Sequence, residues 1–290
     1  MKHINRIRGG MFGAACGDSL NKLLKYLPNK ERYKKIYNGV KRYFVEDIGG
    51  EVTDDTRMML ATAKGIIESP KEPTNSIGKF FLKIYHDNPE NLGLTIRIAL
   101  AEYERYKDWK KASLKAHLRL GGRSAGNGSL MRTLPIALYY NNLDRMIEIT
   151  KKQSNLTHYS KTASEACILY NILVYRYIRG ENKIDVLKEV LKKFPLYKDI
   201  LDIDESKLTR RECAVDTLRC SLWCLLNTES YEEAVLKSIE IYEDKDTIGT
   251  ITGGIAGVYY GYDNISEKWT DSLSIKDELF MISEKISKAG

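Results

Sequence analysis

The stretch that decides the fold is residues 248–261, which read IGTITGGIAGVYYG. Glycine recurs there at every fourth position, which leaves one face of a helix without side chains. Each glycine inside a helix costs about 1 kcal/mol relative to alanine. A helix that keeps this many glycines needs a reason, and the expected one is a second helix packed very close against the bare face. We therefore predict a central helix here, lined by Gly249, Gly253, Gly257 and Gly261.

Helical periodicity dominates the rest of the chain. Apolar residues repeat at three- and four-residue intervals in residues 56–68, 163–178, 186–194, 214–225 and 275–282. The two-residue alternation typical of strands is almost absent, and Pro70, Pro73 and Pro195 are expected to end helices. No shift in composition and no internal repeat marks a boundary. We predict an all-α fold, a compact orthogonal multi-helix domain of about a dozen helices in which residues 1–290 form a single domain.

Composition excludes several classes of protein. The 290 residues are 43% hydrophobic and 29% charged, close to a soluble globular average and unlike disordered, collagenous or disulfide-rich chains. The net charge of +7 is spread along the sequence, so no nucleic-acid partner is expected. No run of about 18 apolar residues is present, so no membrane span is expected.

The cysteines indicate a reducing compartment. Five is an odd number and the spacing shows no disulfide framework, so we expect a cytoplasmic protein. Cys213, Cys220 and Cys224 share one face of a predicted helix. We interpret that face as buried and apolar, because the turn typical of a soft-metal site is missing.

The first unusual segment is residues 49–56, GGEVTDDT, at the start of a predicted helix. Thr53, Asp54, Asp55 and Thr56 place four oxygen-bearing side chains in a row. Threonine and aspartate cap helices and interact favourably with the helix dipole. One such residue is enough for a cap, so a cap and a site for a hard cation both remain open here.

The second unusual segment, Asp244, Lys245, Asp246 and Thr247, precedes the glycine-rich helix. Carboxylates at the buried mouth of a central helix are costly without a counter-charge, and a bound cation would supply it. Carboxylate and hydroxyl oxygens are the ligands that Mg²⁺ and Mn²⁺ prefer. The two acidic segments together could hold two such ions, which can clamp the oxygens of a substrate and lower the pKa of a bound water.

The third segment is residues 121–129, GGRSAGNGS, which we expect to feed a helix N-terminus. Such glycine-rich loops let backbone N–H groups approach a phosphate. The segment fits neither the Walker nor the Rossmann pattern, and an ordinary tight turn is the alternative. Beside two acidic segments, the loop suggests a ligand that carries both phosphate and vicinal hydroxyls.

Five motifs, taken in order, resemble those of the ADP-ribosylglycohydrolase family over nearly the whole chain. They are residues 10–20 (GMFGAACGDSL), 53–56 (TDDT), 126–132 (GNGSLMR, followed by Pro135), 157–158 (TH) and 244–249 (DKDTIG, followed by Gly253, Gly257 and Tyr260-Gly261). Each motif alone is weak, but the ordered set is specific.

The resemblance implies an all-α fold of the ADP-ribosylglycohydrolase type with a binuclear Mg²⁺ or Mn²⁺ centre. It implies an enzyme that cleaves the glycosidic bond between ADP-ribose and an arginine or serine side chain, or a related ADP-ribose conjugate. The expected partner is an ADP-ribosylated protein or a small conjugate such as O-acetyl-ADP-ribose. We expect a monomer.

The resemblance also implies site residues. The metal ligands would be Thr53, Asp54, Asp55, Asp244, Asp246 and Thr247. The diphosphate and ribose would run along Gly122, Ser124, Gly126, Asn127 and Gly128, with His158 near the nucleotide. Asp54 or Asp55 would act as the base toward a water, and the leaving group would depart through an oxocarbenium-like state.

Two departures from the family pattern leave the linkage open. Many members carry a glutamate soon after the Gly-Asp of the first motif, whereas residues 21–27 contain no acid; Glu46 or Glu51 could replace it. Tyr242 and Glu243 stand where many members have two glycines. A non-catalytic family member and a metal-dependent hydrolase of another nucleotide or phosphate ester are the alternatives.

Overall fold

The computed structural model describes residues 2–25, 48–241 and 247–289. Within these ranges the chain forms fourteen α-helices and no β-strand, so the predicted all-α class is confirmed. The helices are α1 His3–Lys25, α2 Asp54–Glu68, α3 Thr74–Asp87, α4 Leu94–Tyr106, α5 Trp109–Arg119, α6 Leu134–Tyr139, α7 Leu143–Asn155, α8 Lys161–Tyr177, α9 Lys183–Val190, α10 Ala214–Leu226, α11 Tyr231–Ile241, α12 Thr247–Tyr260, α13 Glu267–Ser272 and α14 Lys276–Ala289. The single-domain organisation stays a prediction.

The glycine-rich helix α12 is central, as predicted. Every residue from Thr247 to Val258 is buried, and the helix packs against α1, α8, α10 and α11. Its most extensive contact is with α1. The first turn of α12 therefore opens into the interior of the molecule, which is where the second acidic segment ends.

The close partner of α12 is α1, which carries glycines at the same four-residue spacing, Gly9, Gly13 and Gly17. A Cβ atom on Gly253 would overlap the carbonyl oxygen of Gly13, and one on Gly17 would overlap the carbonyl oxygen of Gly249. The backbones of the two helices are thus in direct contact, and only glycine fits between them.

Gly261 does not belong to the packed stripe. It lies one residue past the end of α12, with a φ of 89° that favours glycine, and its N–H donates to the carbonyl of Gly257 at 2.8 Å. The fourth glycine of the repeat therefore terminates the helix, whereas the other three allow the close approach.

The helix ends near Pro70 and Pro73 agree with the sequence pattern, and the predicted cysteine face is confirmed in part. α2 ends before Pro70 and α3 begins after Pro73, while Pro195 opens a short 3₁₀ turn. Cys220 and Cys224 are buried on α10, whereas Cys213 is only partly buried and is the N-cap residue of that helix. None of the helices in the described ranges has both the length and the hydropathy that a membrane span requires.

Candidate active site

The first acidic segment is held in place by Asp18, a fully buried residue in the C-terminal half of α1. Its carboxylate accepts hydrogen bonds from both the backbone N–H and the hydroxyl of Thr53, at 2.9 and 2.7 Å. It accepts the same pair of bonds from Thr56, at 3.3 and 2.6 Å. One carboxylate thus ties the start of α2 to the central helix pair.

Asp18 has no cationic partner among the described residues. Burial raises the pKa of this carboxyl, and the hydrogen bonds from Thr56 and Thr53 oppose that rise. Asp18 falls within the first of the five motifs, but no sequence pattern predicted its role. The available signal is that Asp18 lies on a helix with a glycine stripe. A carboxylate on such a closely packed helix is expected to be buried, and a buried carboxylate must accept hydrogen bonds.

The acidic pair that follows begins α2. Thr53 caps the helix, since its hydroxyl oxygen accepts the N–H of Asp55 at 3.2 Å. Because that hydroxyl gives its proton to Asp18, one lone pair of its oxygen remains for another ligand. Asp55 is buried and accepts a hydrogen bond from Thr250 at 3.1 Å, whereas Asp54 is half-buried. The start of α2 therefore lies against the first turn of α12.

The chemistry of these donors suits one side of a hard-cation site. Thr53, Asp54 and Asp55 offer only oxygen atoms, and Thr247 is buried in the adjoining turn of α12. Asp244 and Asp246, the other predicted ligands, lie outside the described residues. Within the described ranges, no group of three His, Cys, Asp or Glu side chains is arranged to hold a metal. The metal ligand set stays a prediction.

The glycine-rich loop is anchored to its surroundings by Ser124. The hydroxyl of this buried serine donates to the carbonyl of Tyr159 at 3.1 Å and lies 2.7 Å from Nδ1 of His117. Gly122 is exposed at the outer end of the loop, with a φ of 81°, and its nearest neighbour is His117. Of the predicted loop residues, Gly122 is thus the one that is exposed.

The inner part of the loop is held by α10. The side-chain amide of Asn127 donates to the hydroxyl of Thr217 at 3.2 Å, and the N–H of Ala214 donates to the carbonyl of Ala125 at 3.0 Å. These two bonds fix the loop against the first turn of α10. No sequence motif singled out this helix as part of the site.

The expectation that the loop leads directly into an α-helix is wrong. Asn127–Ser129 is one turn of 3₁₀ helix, and α6 begins only at Leu134. The N–H groups of Leu130 and Met131 both donate to the carbonyl of Asn127, so they are satisfied locally. Binding of a phosphate at this loop would therefore rely on the loop's own N–H groups and on neighbouring side chains, more than on the dipole of an α-helix.

His158 borders the inner glycines. Its side chain is buried, and a Cβ atom on Gly128 or Gly126 would lie 3.4 or 3.7 Å from its Nε2. Burial, with a smaller contribution from Arg132, lowers the pKa of the ring to about 3. The ring is therefore neutral at physiological pH. Its predicted place beside a nucleotide is consistent with this position.

Arg132 contacts both α2, which carries the acidic pair, and the turn that carries His158. It belongs to the glycine-loop motif but had no predicted role. Its guanidinium is fully buried, donates to the hydroxyl of Thr157 at 2.8 Å and lies 4.3 Å from the ring centre of Phe81. It also reaches the sulfur of Met58 on α2, at 3.9 Å. Arg132 thus lies between the helix that carries the acidic pair and the turn that carries His158.

The neutral, buried state of His158 predicts how stability depends on pH. In the unfolded chain the ring titrates near its ordinary pKa of 6.5, whereas in the folded chain it does so near 3. Below pH 6.5 the unfolded state binds a proton that the folded state does not, so the free energy of unfolding falls as the pH drops. Between pH 6.5 and 5 the expected loss is roughly 1.5–2 kcal/mol. Denaturant titrations at pH 6.5 and pH 5 measure this loss. The free energy of unfolding of His158→Gln should fall by roughly 1.5–2 kcal/mol less than that of wild type over the same interval. Equal losses would contradict the prediction.

The Asp18 contacts predict a second effect on stability. In Asp18→Asn, an amide NH₂ replaces either Oδ2, which accepts two backbone N–H groups and the hydroxyl of Thr56, or Oδ1, which accepts the hydroxyl of Thr53, so at least one of these bonds is lost. We expect the free energy of unfolding to fall by about 2–3 kcal/mol. Chemical denaturation of this variant beside Asp144→Asn, an exposed matched control, checks it. A loss no larger than that of the control would show that the carboxylate does not organise the site.

Comparison with known proteins adds independent findings. A sequence profile of the ADP-ribosylglycohydrolase family matches residues 1–290. The chain is 24% identical to the ADP-ribosylarginine hydrolase Tri1 of Serratia proteamaculans over 98% of this chain and 79% of that protein. It is 25% identical to the ADP-ribosyl-dinitrogen reductase glycohydrolase of Rhodospirillum rubrum over 94% of this chain and 92% of that protein. A solved structure described as an ADP-ribosylglycohydrolase-related protein complex superimposes with a TM-score of 0.81, at 24% identity and 99% coverage of both chains, which shows a shared fold.

Proposed function

The chain belongs to the ADP-ribosylglycohydrolase family, and from that premise we propose that it is a divalent-metal-dependent hydrolase of ADP-ribosyl conjugates. The resemblance drawn from the five motifs and the expectation of an enzyme of this family are confirmed. The proposed substrate is an arginine- or serine-linked ADP-ribosylated protein, or a small conjugate with the same glycosidic bond.

The observation that carries this proposal is the position of the first acidic pair. Asp18 accepts a hydrogen bond from Thr53, and Asp55 accepts one from Thr250 in the buried first turn of α12. The residues that would hold two Mg²⁺ or Mn²⁺ ions are Thr53, Asp54, Asp55, Asp244, Asp246 and Thr247. Bound there, such ions would supply Lewis-acid polarisation of the terminal ribose hydroxyls.

The two aspartates of the acidic pair have different roles in the proposed reaction. Asp55 is buried and engaged by Thr250, whereas Asp54 is half-buried and more accessible to solvent. We assign Asp54 the role of base, which takes a proton from the attacking water. Asp55 would serve only as a ligand of the metal ions. The water oxygen bonds to the anomeric carbon as the bond to the side-chain nitrogen or oxygen breaks; the leaving atom takes up a proton from solvent, and Asp54 returns its proton to solvent.

The relatives suggest which linkage to test first. The Serratia relative is named an ADP-ribosylarginine hydrolase, which favours arginine-linked ADP-ribose as the substrate. The family glutamate that follows the Gly-Asp motif has no counterpart in residues 21–27. Glu51 is exposed just before Thr53, and Glu46 lies outside the described residues. Replacement of the missing acid by either residue stays a prediction.

The test supplies arginine-linked and serine-linked ADP-ribosyl peptides in parallel, with Mg²⁺ or Mn²⁺ present, and identifies the products. The proposal expects free ADP-ribose and an unmodified side chain from at least one peptide. Release of inorganic phosphate without ADP-ribose would support the phosphate-ester alternative. Binding of ADP-ribose with no turnover of either peptide or of O-acetyl-ADP-ribose would support a non-catalytic family member.

A further inference from the structure

The side chain of His158 has one nitrogen that the protein does not satisfy. Nδ1 is bonded to the hydroxyl of Thr157, but Nε2 has no hydrogen-bond partner among the described residues. The side chain is only 1% exposed. Nε2 lies 3.7 Å from the place where a Cβ atom of Gly126 would lie, and no other atom is within 4 Å of that place, whereas at Gly128 the corresponding place is blocked by Ile96 at 2.8 Å. A polar atom without a protein partner is rare on a buried side chain, and such an atom bonds to water or to a ligand.

The hydrogen bonds behind the ring determine which nitrogen carries the proton. A guanidinium has only donors, so Arg132 must donate to the hydroxyl oxygen of Thr157, 2.8 Å away. The other partner of that hydroxyl is Nδ1 of His158, at 2.7 Å. A second lone pair of the oxygen could accept an Nδ1–H, but the buried hydroxyl proton would then have no acceptor among the described residues, so the proton is donated to Nδ1. Nδ1 therefore accepts, and the proton of the neutral ring lies on Nε2.

This tautomer decides what the ring can bind. An Nε2–H group attracts an anionic oxygen, whereas the lone pair of the other tautomer would repel it. The open space beside Nε2 lies at Gly126, in the loop where the proposed function places the diphosphate. The tautomer that allows this contact is thus set by Arg132 and Thr157, which lie behind the ring.

We propose that Arg132 is a positioning residue that acts through the hydroxyl of Thr157 to hold His158 as the Nε2–H tautomer, so that the ring donates a hydrogen bond to an anionic oxygen of the ligand at the glycine loop. The identity of that ligand as the diphosphate of ADP-ribose rests on the proposed function. The tautomer itself does not.

The first test is nitrogen NMR of the full-length chain with ¹⁵N-labelled histidine at pH 7, without ligand. The chain has four histidines, and His158→Gln identifies the signals of interest. We expect an unprotonated Nδ1 and a protonated Nε2 in wild type. In Thr157→Val and Arg132→Met, both signals should move toward the average of the two tautomers. An Nδ1–H ring in wild type, or no change in Thr157→Val, would overturn the proposal.

The second test measures binding of ADP-ribose by calorimetry. Thr157→Val should weaken binding about tenfold, the effect of losing one charge-assisted hydrogen bond. Thr157→Ser, which keeps the hydroxyl, should bind as wild type does. Thr150→Val is the matched control, because Thr150 is equally buried but bonds to the carbonyl of Met146. Unchanged affinity in Thr157→Val would overturn the proposed ligand contact.

The two tests separate this inference from the function on which it rests. If wild type does not bind ADP-ribose at all, the proposed function fails, whereas the NMR experiment still decides the tautomer. If Arg132→Met does not fold, the threonine variants still decide whether the hydroxyl of Thr157 sets the tautomer, because valine matches threonine in shape, and Arg132→Lys then tests the contribution of the guanidinium.

Discussion

Asp54→Ala is expected to reduce the rate of ADP-ribose release by about a thousandfold or more while the helical circular dichroism stays that of wild type. The variant removes the proposed base, whose contribution alone is typically 10²–10⁴-fold, together with one oxygen ligand of the metal site. The fold should survive, because Asp54 is half-buried and the start of α2 is held by Thr53 and Asp18. Initial rates on the arginine-linked peptide measure the effect.

Two further variants make this prediction specific. Asp246→Ala, in the second acidic segment, should lose activity to a similar extent although Asp246 is remote from Asp54 in sequence. Asp144→Ala, an exposed aspartate in the first turn of α7, should keep the wild-type rate. Retained turnover in both Asp54→Ala and Asp246→Ala would remove the acidic segments from the mechanism.

Gly253→Ala is expected to lower the free energy of unfolding by about 3 kcal/mol. On helix propensity alone, this change would stabilise the protein by about 1 kcal/mol, so the two accounts predict opposite signs. The added Cβ would overlap the carbonyl oxygen of Gly13, and it would approach the hydroxyl of Tyr231 to 3.3 Å. Because a backbone atom cannot rotate away, α1 and α12 would have to separate. Urea denaturation followed by circular dichroism measures the change.

Gly93→Ala is the matched control for this effect. Gly93 has no atom within 4 Å of the place where a Cβ would lie, and its φ is −54°, which any residue adopts. It should change stability by only a few tenths of a kcal/mol. If Gly253→Ala were as stable as this control, the close contact between α1 and α12 would not exist in solution.

The central helix illustrates what the sequence can and cannot predict about the fold. A four-residue glycine repeat predicts that α12 is buried, because nothing but close packing justifies its cost. The same repeat does not identify the partner by itself. Gly9, Gly13 and Gly17 have the matching spacing, so a comparison of the two repeats is the sequence signal that pairs α1 with α12.

The candidate site shows the same division. The motifs locate the acidic pair and the glycine loop, since both consist of neighbouring residues. They do not reveal Asp18 or Arg132 as organising residues, because each acts on partners 35 or 25 positions away in the chain. Such contacts depend on how helices pack, and local residue patterns do not determine that packing. The expected α-helix after the glycine loop fails for a local reason, since Asn127 binds the following N–H groups in a tight turn.

The most direct test of the account is the metal dependence of ADP-ribose release. Wild-type protein is stripped with a chelator, dialysed, and assayed on the ADP-ribosyl peptides before and after addition of Mg²⁺ or Mn²⁺. The account predicts that the stripped protein is inactive and that either ion restores release of ADP-ribose. Full activity in the continued presence of the chelator would contradict a divalent-metal centre at Thr53, Asp54 and Asp55.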